Sequence, residues 1–325
     1  VAVVIREPGR VHLILLLACS AAPAGQGVSR PEPTPAPVVA SAAAHAPLFG
    51  FWGMNGFLTP DGLADVQRRT HLTVIQTASR EPAWAVGTLL PMARDAGVRV
   101  TLRLTGHHDR YMRDGNFDLE MWKSQLARWE GSGIQPFIDD GTLVGHMILD
   151  DILEFPGADP TGEQLDEMAR ASKAVLPGLM TYVRQRASDL PDREYRWLDA
   201  AVNQYRARDG DPAAYARREV EAAARRKLGV INGLNLPDGG DGTSGQAGWR
   251  AERFAMTADE IRRYGTPLAD APGLGMFLIW EYDGEERWTD GSIGADYLRR
   301  PDVEAALAEL GARVASRPGV RLLKP

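Results

Sequence analysis

The stretch LVGHMILDDILEF, Leu143 to Phe155, decides how the chain is read. Leu143, Val144, Met147, Ile148 and Leu149 make an apolar run without strict alternation, the pattern of a strand buried on both faces, and such strands belong to parallel sheets covered by helices. The run ends abruptly in Asp150 and Asp151, with Glu154 close behind. In parallel α/β architectures the carboxyl ends of the strands face the ligand, so these acids stand where a substrate would bind.

Outward from this run, short apolar segments alternate with helical patterns. LFGFW (48–52), LTVIQT (72–77) and VRVTLRL (98–104) precede it; GLMTYVR (178–184), WLDAAVNQY (197–205), VINGL (230–234) and LGMFLIW (274–280) follow. Helix signals fall between them. Thr59 caps a helix with Pro60 at its first position, Gly97 closes one, and Asp118 caps LEMWKSQLARWE. Thr161 with Gln164 and Thr257 with Glu260 form capping boxes. Asp211 and Pro212 open a long helix that Gly229 can close. Only between the fifth and sixth runs, where QRASDLP intervenes, is the helix short or degenerate. Eight runs with helices between most of them predict an α/β chain folded as a (β/α)8 TIM-type barrel over residues 48–325.

The ends and the composition narrow the function. A net charge of −6 and scattered arginines exclude a nucleic-acid partner. No G-x-G-x-x-G or P-loop opens a helix, which argues against a nucleotide enzyme. Arg6 and Arg10 precede the apolar segment VHLILLLA, and the single cysteine, Cys19, follows it. Residues 1–18 therefore read as a secretory signal peptide, too short to span a bilayer at ~20 residues. Leu16, Leu17, Ala18 and Cys19 resemble the lipobox of bacterial lipoproteins, which implies lipidation of Cys19 and a membrane partner through that lipid anchor. Residues 19–47 are rich in Pro and Ala and read as a tether. The expected place is outside the cell membrane, or the periplasm.

If the barrel closes, its C-terminal mouth gathers Trp52, Asn55, Gln76, His107, His108, Asp109, Asp150, Asp151, Glu154, Arg184, Asn203, Gln204, Tyr205, Asn235, Asp238, Trp280, Glu281 and Tyr282. Amides and carboxylates bond sugar hydroxyls, and indole faces stack on the C–H faces of pyranose rings, so this rim suits a carbohydrate. Cleaving a glycosidic bond needs one protonated and one ionised carboxyl group, and the fourth and eighth strands supply them from opposite sides.

In this layout the chain resembles the TIM-barrel glycoside hydrolases, over Leu48 to about Val314. Neither the Asn-Glu acid after strand four with a Glu after strand seven nor the D-x-x-D-x-D-x-E of chitinase-like barrels is present. The reading is a cell-surface glycosidase with Asp151 as general acid, Glu281 as base or nucleophile, and Asp150 orienting its neighbour or holding a hydroxyl. The substrate-binding set is Trp52, Asn55, Gln76, His107, His108, Arg184, Asn203, Gln204, Tyr205, Asn235, Trp280 and Tyr282; no cofactor is expected. A non-catalytic carbohydrate-binding lipoprotein would use the same rim. A metal-dependent hydrolase on His107, His108, Asp109 and Asp150 is the third reading, weakened by the lack of H-x-x-x-H or H-E-x-x-H spacing. Trp122 and Trp129 read as packing residues and Asp199 as a structural partner inside the barrel, for an Arg. Asp238 and Asp241 read as turn residues, with calcium as the other reading.

Overall fold

The computed structural model describes residues 6–7, 10–11, 46–54, 58–78, 81–150, 160–248, 250–281, 297 and 300–324, with His108 described in its backbone only. Cys19, Asn55, Asp151, Glu154 and Tyr282 lie outside the described residues. The chain divides into Val1–Ala40 and Ser41–Pro325. In the first unit Arg6–Glu7 pairs antiparallel with Arg10–Val11. Among the described residues no helix is long and apolar enough to cross a membrane.

The second unit is a closed parallel barrel of eight strands: β1 (Leu48–Trp52), β2 (Val74–Ala78), β3 (Arg99–Arg103), β4 (Leu143–Asp150), β5 (Met180–Arg184), β6 (Ala200–Tyr205), β7 (Gly229–Leu234) and β8 (Leu274–Ile279). Each pairs with the next, and β8 closes on β1 through Phe277 opposite Phe49. The helices are α1 (Pro60–Thr70), α2 (82–95, with a π-helical turn at Ala85–Leu89), α3 (Leu119–Ala127), α4 (Gln135–Asp139), α5 (Gly162–Val175), α6 (Pro212–Arg225), α7 (Ala258–Ala269) and α8 (Pro301–Ala315). Thr59, Asp118, Thr161, Asp211 and Thr257 each accept a backbone N–H as helix caps, and both capping boxes form. Gly97 is left-handed, with φ +68°, just past α2. Gly229 does not close α6: that helix ends at Arg225, Lys227 takes the left-handed turn at φ 56°, and Gly229 is the first residue of β7.

Between β5 and β6 the helix is reduced to a 3-10 turn, Ala187–Asp189. Neighbouring helices satisfy the backbone that a helix would have satisfied internally. The buried Glu219 of α6 accepts from Ser188 N and Ser188 Oγ. Asp166 of α5 accepts from the amides of Arg196, Trp197 and Leu198, and Arg226 donates to Leu190 O.

Two apolar layers follow from strand alternation. Inside the barrel pack Val74, Met147, Met180, Tyr182, Ala200, Val202, Ile231, Met276 and Leu278. Gly145 makes room there, since a Cβ on it would meet Met180 Cε at 2.9 Å and Tyr182 Cε1 at 3.2 Å. The outer layer seats the helices on the strands, and Trp122 and Trp129 belong to it, each with its indole N–H on a carbonyl at a strand end, Ile148 O and Leu104 O.

The N-terminal floor is closed by the chain's own tail. Leu322 packs so tightly on Gly229 and Gly275 that a Cβ on either would sit 2.5 Å or less from it. Lys324 N donates to Asp199 Oδ1 at 2.8 Å, which Lys173 Nζ also reaches at 2.8 Å. Asp199 is thus a structural partner as expected, but for a lysine at the barrel floor. A cavity of about 160 Å³ beside the tail, lined by Leu48, Arg99, Met180 and Leu323, lies at this end, away from the strand carboxyl ends.

Candidate active site at the barrel mouth

Arg103, Asp150 and Arg184 end three successive strands. Asp150 stands opposite Arg184 in the β4–β5 register and accepts from its Nε, while its other oxygen accepts from Arg103 Nη1 at 2.8 Å. All three side chains are mostly covered, with 14% of Arg103, 19% of Asp150 and 12% of Arg184 exposed. The Arg184 guanidinium also lies over the Trp52 ring, 4.8 Å from its centroid, a cation–π contact. One face of that indole therefore carries an arginine. Below this layer the Tyr182 hydroxyl donates to Thr101 Oγ1 at 2.9 Å; burial pushes its pKa up, as it does for Tyr111.

Gln76 is fully buried and in phase with the lumen residue Val74. Its amide N–H2 donates to Thr77 O, leaving Oε1 with no hydrogen-bond partner. Gln204 Oε1 accepts from Asn235 Nδ2 and from Arg206 Nη2. Asn235 pairs in parallel with Trp280, and its Oδ1 accepts from Asp238 N. Asp238 also accepts from Arg250 N, and Asp241 accepts from Thr243 N and Arg263, so both acids pin the glycine-rich loop.

Glu281 follows β8 across a cis Trp280–Glu281 peptide. Its carboxylate lies against the Cα of Gly53, where an added Cβ would come within 2.8 Å of Oε2. Gly53 has φ +74°, so a missing side chain and a left-handed turn together make the acid's seat. The two acids are connected through the rim: Asp150 holds Arg184, Arg184 covers Trp52, and the next residue, Gly53, seats Glu281.

Two expected rim residues are elsewhere. Asn203 and Tyr205 flank the inward Gln204 and therefore point outward. Asn203 accepts from Ala187 N and donates to Asn232 Oδ1, and Tyr205 donates to Gly210 O while packing edge-on against Tyr215. Alternation read from the inward Val202 would have found both. His107 is at the mouth of β3, partly exposed and 3.3 Å from Asp109. Sequence reasoning missed Arg103, although the arginine pair ending VRVTLRL and GLMTYVR on either side of the acidic strand was its signal. Among the described residues no group of three or more His, Cys, Asp or Glu side chains is placed to hold a metal.

No protein-family model matches the chain, and no curated protein matches its sequence. Solved structures match its fold. A GH113 β-1,4-mannanase aligns over 85% of this chain and 100% of its own, with 13% identity and a TM-score of 0.59. The GH113 β-mannanase AaManA of Alicyclobacillus acidocaldarius aligns over 84% and 99%, at 12% and 0.52. The fold is a TIM-type barrel. A β-D-glucuronidase from Dictyoglomus thermophilum shares this barrel over 86% of this chain and 52% of its own, at 12% identity and 0.53.

Proposed function

We propose that the chain is a glycoside hydrolase working by two carboxyl groups at the barrel mouth, with Glu281 as base or nucleophile and Asp151 as general acid. The observation that carries this reading is the seating of Glu281 on Gly53 beside Trp52, on the same strand-end rim as Asp150. Gln76 Oε1, a buried acceptor without a partner, suits a sugar hydroxyl. That the matching barrels include mannanases and a glucuronidase supports the same class.

Asp150 has a different part. With both oxygens engaged by guanidinium N–H groups, it positions Arg103 and Arg184. The step itself is hydrolysis: the acid protonates the leaving oxygen as the C–O bond breaks, and water, directly or after a glycosyl-enzyme ester, adds to the anomeric carbon. The test is release of new reducing ends from a panel of oligosaccharides by the full chain. Asp151→Asn should slow natural glycosides far more than aryl glycosides whose leaving group needs no proton; equal loss on both would remove Asp151 from the acid's role.

The engagement of Asp150 also favours a second reading, a carbohydrate-binding protein without turnover; tight glycan binding with no product would establish it. The proposed place is the outer face of a cell membrane, held by lipid on Cys19. Cys19→Ala should move the protein from the membrane to the soluble fraction, and an unchanged distribution would end that proposal.

A further inference from the structure

We propose that the cavity at the barrel floor is a second binding site, for a small amphiphilic carboxylate whose apolar body has roughly six carbons. Its walls are largely apolar, with Leu48 of β1, Val144 of β4, Met276 of β8 and Leu323 of the tail among them. Two arginines, Arg99 and Arg321, also line it, and among the described residues no acidic side chain does. Among those residues neither guanidinium has a hydrogen-bond or ion-pair partner. Arg99 opens β3 in phase with Thr101, whose hydroxyl meets Tyr182 in the lumen, so the strand aims it at the floor of the barrel. Burial lowers its pKa there, and no carboxylate among the described residues acts in the other direction. A ligand can still reach it: Arg99, Leu48 and Val144 are only half-buried, and Arg321 is exposed.

An arginine that merely covered the floor would lay its methylenes on the apolar wall and extend its guanidinium into water. Arg99 instead holds its charge partly out of water, which costs free energy unless an opposite charge answers it. A ligand carboxylate matches the planar fork in two-point fashion, and the bond strengthens beside walls that exclude water. Volume sets the rest of the ligand. At about 160 Å³ the cavity is close in size to one of roughly 150 Å³ that takes a benzene ring, and a long acyl chain exceeds it. The bound molecule would touch β1, β4, β8 and the tail together, so it would also hold the tail on the floor. Because the cavity lies away from the strand carboxyl ends, this inference is independent of the hydrolase reading.

The experiment is calorimetric titration of the full chain with hexanoate, benzoate and phenylacetate. The alcohols 1-hexanol and benzyl alcohol isolate the charge, and acetate isolates the apolar body. At least one of the three carboxylates should bind with Kd below about 1 mM and roughly 10- to 100-fold more tightly than its alcohol and than acetate, the size of a charge-assisted pair. Tm should rise with its concentration, as linkage requires. In Arg99→Gln, with folding checked by circular dichroism, the carboxylate's advantage should fall below about threefold, and Val144→Phe, which narrows the cavity, should weaken acid and alcohol alike. Arg321→Gln alters an exposed side chain and should lower carboxylate affinity a few fold with the fold intact. Three results from the unaltered chain overturn the proposal even if the variants fail to fold: no saturable binding of any probe, equal binding of carboxylate and alcohol, or acetate binding as tightly as hexanoate. Sedimentation with phosphatidylglycerol vesicles is the last arm; vesicle binding that hexanoate displaces and Arg99→Gln abolishes would give the site to a membrane lipid and overturn the small-carboxylate assignment.

Discussion

Asp150 and Arg184 meet at the last rung of the β4–β5 ladder, and the same carboxylate also holds Arg103 on the other flank at 2.8 Å. One acid therefore fixes two cations from strands that are not adjacent to each other. Substituting Asp150→Ala takes the shared carboxylate from two mostly buried guanidiniums, at a cost of about 3 kcal/mol, the lower part of the range for broken buried pairs because the groups are partly solvated. Urea unfolding measures it. A fully stable but inactive variant would make Asp150 a participant in the chemistry instead.

On the hydrolase reading proposed above, Gly53 is where small size bears on the chemistry, because it seats Glu281. A Cβ there would lie 2.8 Å from Glu281 Oε2, and φ +74° disfavours any side chain. Gly53→Ala should lower kcat roughly 10- to 100-fold by displacing the acid by a fraction of an ångström, with a stability loss of about 1–2 kcal/mol. Steady-state kinetics with a denaturation curve separate the two effects; unchanged kcat would place Glu281 outside the reacting geometry.

His146 gives the fold a pH dependence. It is fully buried, stacked on Trp122 and bonded through Nδ1 to Ser172 Oγ at 2.8 Å, and burial lowers its pKa to about 3. The unfolded chain binds a proton near pH 6.5 and the folded chain does not, so stability is complete above pH 6.5 and is lost as pH falls toward 3. The loss between pH 7 and pH 5 is about 2 kcal/mol from this group alone. His146→Gln should flatten that part of the profile, and an unchanged slope would assign it to other groups.

The tail that closes the floor is a structural part of the barrel. Removing residues 319–325 takes Leu322 from Gly229 and Gly275 and Lys324 from the buried Asp199. A loss of about 3–5 kcal/mol is expected by thermal or urea unfolding. A deletion variant as stable as the full chain would show that the floor is held by the strands alone.

The eight apolar runs and the caps were legible because strand burial and helix termini are local properties, and all eight strands fall on the runs. The degenerate segment QRASDLP, 185–191, is legible as a gap, but not the remedy around it, since Glu219, Asp166 and Arg226 act across other elements. The site was read less well. Asp150 reads as an exposed terminal acid until strand order places an arginine on each side of it. Asn203 and Tyr205 were drawn to the mouth by their polarity, although the period of two sends them to the helix layer. Lys227 rather than Gly229 closes α6 because β7 begins at once and claims the glycine.

The most direct test of the hydrolase account is turnover and binding by Glu281→Gln on the best glycan of the panel. The account predicts a loss of about 10²- to 10⁴-fold in turnover with glycan affinity kept within a few fold. Turnover equal to that of the unaltered chain would contradict it.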